Sequence, residues 1–482
     1  MEKGKVYLVG AGPGDIGLIT VKAKECLESA DVILYDRLVN PLLLGFAKEE
    51  AELIFCGKLP QNHLMRQERI NELLVAKSKE GLTVVRLKGG DPSVFGRVGE
   101  EASELAKHEI PFEIVPGITS SIAAANYAGI PVTHRNYGRS FAVVTGHDAT
   151  GELTLDWEAL AKGIDTLAFY MGVGNLAKIS EQLINHGKSI HTPVAVIQWG
   201  TYGRQRTVIG TLTTINKQVK EAEITNPAMT LIGDIVSLRE ELAWFEKKPL
   251  VGRQILLART GTEPSQVANE LRSHGAEVFE FPTFSTTLLF NQVMARDVFL
   301  KLSFYEKVFL TSPESIAYFF QGLRLYEKDI REVKAELYVR SSKSARALAQ
   351  YGCQATVGFP EVDERTLVVG EKEKRDWIGC DKLITHEQKA NKNSQIIFKR
   401  LLTDKTINTI VFPSAHSVEI LAEQSKEIGI DLFTLLQKSE VICYGEQSAN
   451  AVKKIGFTDF YMLNKPSTAL LLSHLSRHAV YS

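Results

Sequence analysis

"VVRLKGGDPSVFGR", residues 84 to 97, passes from an apolar strand straight into a loop that holds paired glycines, an acid, a proline and an arginine at its end. A loop of the same kind stands earlier: "GAGPGD", Gly10 to Asp15, follows the strand pattern "KVYLVG" and precedes the helix pattern "GLITVKAKECLESA". Glycine at such places allows positive φ and close backbone approach, and the helix that follows presents free N–H groups. Glycine loops at adjacent strand ends of one lobe make a cleft.

Outward from these loops, residues up to about 240 alternate β-branched runs with amphipathic stretches, as an α/β domain does. "DVILYD" and "LTVVRLKGG" are strands, "RQERINELLVAKSKEG" is a helix, and "ITSSIAAANYAG" is a helix of small residues that lets another surface come close. From Arg135 the strands "SFAVVTG", "DTLAFYMG", "PVAVIQWGT", "QRTVIGTL" and "AMTLIGDIV" predict a second, more antiparallel lobe. "ELAWFEKKPLVGRQ" reads as a junction, with the boundary near Lys248. The domains expected are therefore 1–246 and 250–482. In the second, "VFLTSPESIAYFF" and "IVFPSAHSVEIL" resemble each other, each a buried strand opening into a helix, which predicts two similar lobes.

Lysine plus arginine (56) nearly cancels aspartate plus glutamate (57) in the 482 residues, so there is no bulk basic field of the kind a nucleic-acid binder carries. Five scattered cysteines without a CxxC pair suggest neither a disulfide framework nor a metal site. The apolar runs fall short of the roughly 20 residues of a membrane helix. These features predict a reduced, cytoplasmic protein with no membrane partner.

Locally, "GAGPGD" admits several readings. It approximates a dinucleotide fingerprint, with Asp36 at the end of the second strand where a ribose-binding acid would sit. Pro13 removes an N–H from that turn and the spacing is not the full motif. A ligand-free glycine turn is the plain alternative. With Asp15, Asp36 and Asp91 as the available acids, a cationic ligand carrying an amino acid and a ribose suits the cleft better than a pyrophosphate. Arg86 and Arg97 bracket the second loop, as solvated charge or as bidentate partners for a carboxylate or phosphate.

"VYLVGAGPGD", "ADVILYDRLV", "VVRLKGGDPSVFGR", "VPGITSSIAAANYAGIPVTHR", "VTGH", "YMGV", "QWGT" and "NPAMTLIG" together resemble the successive motifs of the tetrapyrrole methylase family, in order from residue 3 to about 240. The likeness is closest to members that methylate uroporphyrinogen III. It implies a two-lobed α/β domain, usually dimeric. The methyl donor is S-adenosylmethionine, released as S-adenosylhomocysteine, and methylation at C2 and C7 gives precorrin-2, the branch point to sirohaem and cobalamin. By the same resemblance Pro13, Gly89, Gly90, Asp91, Val94, Thr119, Ser120, Met171, Gly200 and Ala228 are cofactor contacts. Ser120 stands where the family commonly has alanine. Asp36 matches the proposed proton acceptor and Lys58 the proposed proton donor, while Arg86 and Arg97 are expected to meet substrate carboxylates.

In the second half "GRQILLARTG", "VFLTSPESIAYFF", "YVRSSKSARALAQYG", "IVFPSAHSVEIL" and "YGEQSANAVKKIG" resemble uroporphyrinogen-III synthase, which closes hydroxymethylbilane with inversion of its last ring. The resemblance implies a two-lobed α/β fold that grips a flexible octacarboxylate, with Thr311, Ser312, Ser414 and Ser448 as candidate contacts. Helix N-capping is the alternative role for these serines and threonine. "FPSAHS" lacks the family's threonine, and its tyrosine is missing from "LVVGEKEKRDWIGCDKLITHEQ". The whole then reads as a bifunctional enzyme, with two rivals. One is a methylase carrying a non-catalytic binding module. The other is an NAD-linked oxidoreductase using "GAGPGD".

Overall fold

Alternating apolar runs produce four sheets in a computed structural model that describes residues 3–57, 65–147, 154–260, 265–289, 292–371, 377–404 and 406–477. The first comprises β1 (Val6–Gly10), β2 (Val32–Tyr35), β3 (Glu52–Phe55), β4 (Val84–Lys88) and β5 (Phe112–Val115), in the order β3-β2-β4-β1-β5. Every pairing is parallel. Parallel strands need crossover helices on both faces, so the central strands are buried and read as near-continuous apolar runs. The crossover leaving β1 runs toward β2, and that leaving β4 runs toward β5 on the other side. Neighbouring strands whose connections diverge form the switch point where α/β sheets bind ligands. Both glycine loops leave from it.

The second sheet holds β6 (Phe141–Thr145), β7 (Thr166–Tyr170), β8 (Pro193–Gln198), β9 (Arg206–Thr211) and β10 (Ala228–Ile232), ordered β6-β7-β10-β8-β9. Only β6 with β7 is parallel, in keeping with the more antiparallel lobe expected. The small-residue helix Ser120–Tyr127 packs against it: a Cβ on Gly200 would come within 2.3 Å of the Ala124 methyl.

Beyond the junction, β12 (Glu277–Phe281), β11 (Gln254–Ala258) and strands Thr409–Phe412, Glu440–Cys443 and Tyr461–Met462 lie in that order in the third sheet, each parallel to the next. The fourth sheet is built from strands within 284–390. The junction near Lys248 thus separates pairs of sheets, but it does not separate compact bodies. One unit comprises Met1–Pro282 with Lys392–Ser482, and the other is Thr283–Asn391. The reason lies in the core: Leu43, Leu44 and Ala47 of the first half share one hydrophobic cluster with Ile397, Phe398 and Leu401 of the second.

Candidate functional site

Three backbone segments meet at the switch point. Gly12 N–H donates to Gly90 O at 3.1 Å and Gly90 N–H to Gly12 O at 2.8 Å, joining the two glycine loops in an antiparallel bridge. Gly117, at the start of "GITSS", lies so close that a Cβ on it would come within 2.3 Å of Gly90 O. Asp91 fixes this crossing, accepting from Ser93 N–H through Oδ1 (2.7 Å) and from Gly117 N–H through Oδ2 (3.0 Å).

The second lobe adds its own loops. Tyr170, at the end of β7, shares a hydrogen bond with Thr119 Oγ1 (2.6 Å) and accepts from Ser121 N–H (2.7 Å), so its hydroxyl caps the helix that begins at Ser120. The Phe95 ring lies 5.4 Å from the Tyr170 ring. Trp199 N–H donates to Pro227 O at 3.2 Å, which extends by one residue the antiparallel pairing in which Ala228 faces Gln198. Pro13, Gly89, Gly90, Asp91, Val94, Thr119, Ser120, Gly200 and Ala228 are each partly exposed and Met171 is exposed, so all ten expected cofactor contacts can be reached from solvent.

Backbone strain collects around the same place. Among the described residues eight non-glycine residues have positive φ, and Phe95, Arg97, Met171, Trp199 and Thr201 are five of them. Such conformations cost about 1–3 kcal/mol each and persist where the surroundings enforce them, commonly at ligand sites.

Asp36 follows β2 at its carboxyl end, and its side chain keeps 33% of its surface exposed. Arg86 Nη2 donates to its Oδ1 at 2.6 Å. Behind that pair lies a buried network: Glu101 Oε1 accepts from Arg86 Nε (3.0 Å), Lys88 Nζ (2.8 Å) and Gln67 Nε2 (3.1 Å). Burial works against the charged Arg86, but Asp36 and Glu101 outweigh it and raise its pKa. Burial, followed by the Arg86 charge, lowers that of Lys88. Burial also pushes the nearby Cys56 thiol up to about 11, so it is an inert packing group.

This geometry corrects one expectation. Arg86 is 2% exposed, and its guanidinium is taken up by Asp36 and Glu101, so it supports Asp36 and does not face substrate carboxylates. Arg97 is exposed at the start of the helix Val98–Lys107, in a bidentate pair with Glu100. Lys58 lies outside the described residues. Asp15 is not turned toward a ribose: it accepts from Gly17 N–H and from the Tyr127 hydroxyl (2.7 Å). A cavity of about 90 Å³ behind "GPGD" is reached by Asp15, Asn40, Tyr202 and Glu277 and is not lined by Gly89, Gly90 or Asp91.

Sequence reasoning missed Glu101, Lys88, Gln67 and Tyr170. One signal existed for Glu101, which falls on the stripe Val98, Glu101, Ala102, Leu105 that the helical period turns inward.

In the second half the expected contacts are mostly caps. Ser315 N–H donates to Ser312 Oγ (3.1 Å) and Ser312 N–H to Ser315 Oγ (2.9 Å); Ser414 and Ser417 repeat the pattern at 3.2 Å in both directions. Ser448 is buried and donates to Gly445 O, which turns its hydroxyl from substrate to helix start. Thr311 Oγ1 is buried with no hydrogen-bond partner among the described residues. Where a tyrosine was sought, the strand Asp381–Ala390 carries His386, fully buried, with Nδ1 bonded to Thr385 and a pKa that burial lowers.

A glycine crossing at the switch point of a parallel sheet, covered by strained loops of a second sheet, defines a two-lobed binder of a small polar ligand. Two family models and two relatives matched along nearly the whole chain show the family. The tetrapyrrole (corrin/porphyrin) methylase family model matches residues 5–216 and that of uroporphyrinogen-III synthase matches residues 265–371. A uroporphyrinogen-III C-methyltransferase of Bacillus subtilis is 46% identical over 464 residues, 95% of each chain. A porphyrin biosynthesis protein of Ruminiclostridium josui is 35% identical over 97% of this chain and 96% of its own. A uroporphyrinogen-III C-methyltransferase of Priestia megaterium matches only the first half, 60% identical over 48% of this chain and 99% of its own. The crystal structure of the Thermus thermophilus uroporphyrin-III C-methyltransferase with S-adenosylhomocysteine is 38% identical, covering 49% of this chain and all of that one with a TM-score of 0.43. The chain belongs to the tetrapyrrole methylase family, joined to a second half of the uroporphyrinogen-III synthase family. No helix among the described residues is long and apolar enough to cross a membrane.

Proposed function

We propose that the first half methylates uroporphyrinogen III at C2 and C7 to give precorrin-2, that the second closes hydroxymethylbilane to uroporphyrinogen III, and that the first half forms a homodimer in the cytoplasm. The observation that carries the methylase reading is Asp36: a partly exposed carboxylate at a strand end, held by a buried arginine beside the glycine crossing. S-adenosylmethionine supplies a methyl group already activated on a sulfonium. The residues present fit it. Backbone at Gly89 and Gly200 is free of side-chain bulk, Thr119 and Ser120 stand at the start of the neighbouring helix, and Asp91 holds the loops that shape the cleft.

Orientation and exclusion of water are then the main work of the chain. As a pyrrole carbon takes the methyl group, positive charge develops on the ring. Asp36 stabilises that charge or accepts the N–H proton, and Lys58 acts as proton donor. Arg97, together with the exposed bases Arg37 and Arg135, meets the substrate carboxylates.

A second reading of the 250–482 half, a binding module without ring closure, is favoured by one observation: the hydroxyls of Ser312, Ser414 and Ser448 are committed to helix starts. One experiment tests both activities. The chain is given hydroxymethylbilane without S-adenosylmethionine, the product is oxidised, and the uroporphyrin isomers are separated. Isomer III is expected; isomer I alone, the product of unaided closure, leaves the binding module. Addition of S-adenosylmethionine to uroporphyrinogen III should then give a product heavier by two methyl groups, and an unchanged mass refutes the methylase assignment.

A further inference from the structure

We infer that Arg400, in the second half of the chain, is a positioning residue for Asp36 in methyl transfer. The inference rests on the methylase reading above, and it comes from a joint that this reading does not use. The helix Lys392–Thr403 lies against the segment Pro41–Phe46 of the first half, and Ile397, Phe398 and Leu401 pack in one core with Leu43 and Leu44. Within this apolar joint a guanidinium is kept only 7% exposed. A buried charge is costly unless it is paired and hydrogen-bonded, so its contacts indicate why an arginine stands there.

Arg400 Nη2 donates to the carbonyl of Arg37 at 2.7 Å, Nε pairs with Asp404 at 3.1 Å, and the guanidinium sits 4.3 Å from the centre of the Phe55 ring. Phe55 ends β3 and is the register partner of Tyr35, which ends β2. Arg400 therefore ties together the carboxyl ends of two neighbouring strands, directly beside Asp36. The two arginines divide the work: Arg86 holds the Asp36 carboxylate, and Arg400 holds the backbone one residue on. A shift of the Arg37 peptide moves the Asp36 Cα with it. Asn393 on the same helix donates to Lys48 O at 3.0 Å, farther along the chain, which provides an internal comparison.

The test uses the full chain with Arg400→Ala, Arg400→Lys and Asn393→Ala. The first readout is hydrogen exchange over residues 32–44, where Asp36 N–H donates to Leu87 O and Val39 N–H to Asp36 O. The second is kcat and KM for methyl transfer to uroporphyrinogen III, with S-adenosylhomocysteine affinity by calorimetry. Arg400→Ala should speed exchange in this segment and lower kcat by about ten- to a hundredfold, the scale of a small misplacement of a reacting group. KM for S-adenosylmethionine and product affinity should hold. Arg400→Lys should recover most of the rate, because an ammonium can donate to the same carbonyl. Asn393→Ala should keep kcat. Unchanged exchange in Arg400→Ala overturns the inference, as does an equal fall in kcat in Asn393→Ala. If the parent chain transfers no methyl group, the methylase reading falls, and the exchange data alone decide whether Arg400 holds the Asp36 segment.

Discussion

Glu101 is fully buried and is shared by Arg86 and Lys88, which makes it the counter-charge that lets two cations stand behind Asp36. Replacing it with glutamine keeps the volume, takes the counter-charge from Lys88 and leaves Arg86 with Asp36 alone. Breaking a buried ion network from one side typically costs about 3–5 kcal/mol. Glu101→Gln is accordingly expected to lower by that amount, in urea unfolding, the stability of the unit formed by Met1–Pro282 with Lys392–Ser482, and to slow methyl transfer because Arg86 loses one of the two partners that aim it. A variant of parental stability would show that the network is not charged as drawn. Asp91 acts differently: its two oxygens are spent on Ser93 and Gly117, so it fastens loops together. Asp91→Ala should abolish S-adenosylhomocysteine binding by loosening the Gly12–Gly90–Gly117 crossing. Unchanged affinity in calorimetry would remove Asp91 from the site.

The repeated element of the second half is a strand that ends in serine and opens a helix through a reciprocal cap, once at Ser312–Ser315 and again at Ser414–Ser417. An N-cap serine is worth about 1 kcal/mol. Ser312→Ala and Ser414→Ala should each cost that much, and the double variant the sum, since the caps lie in separate compact units and share no partner. Equilibrium unfolding of the single and double variants checks this, and a loss of ring closure far beyond the stability cost would return the hydroxyls to the substrate. These elements were legible because apolar period and glycine or serine punctuation are local signals. The glycine loops, the antiparallel character of 141–232 and the close approach at the alanine-rich helix were all readable for that reason. Arg86 was misread for the opposite reason. Its burial depends on Glu101 arriving from a helix, and the strand alternation that puts Arg86 and Lys88 on one face does not say what covers that face. The positive φ of Met171 and Trp199 likewise comes from surrounding loops, not from their own preferences.

At the scale of the whole chain, the unit Thr283–Asn391 is one continuous stretch with its own core, in which Phe299, Ile316, Phe319, Val339 and Leu367 pack together. Its ends meet: Asn391 N–H donates to Thr283 O at 2.8 Å. The third sheet draws β11 and β12 from before this stretch and its other strands from after it, all in the remaining unit. Loop-closure entropy favours a short connection over a long one, so a few glycines and serines joining Pro282 to Lys392 should leave that sheet at least as stable as before. The shortened chain retains the Asp36 site, the helix that carries Arg400 and the core they share. It is expected to be folded, to bind S-adenosylhomocysteine with parental affinity and to transfer methyl groups at a rate comparable to the full chain. Isomer III should no longer form from hydroxymethylbilane, because half of the synthase-type fold is gone. Calorimetric unfolding, cofactor affinity and isomer separation on the same preparation decide the matter. Loss of methyl transfer in a folded product would mean that residues 283–391 also serve the first half, and the division of labour would then follow neither the compact units nor the junction near Lys248.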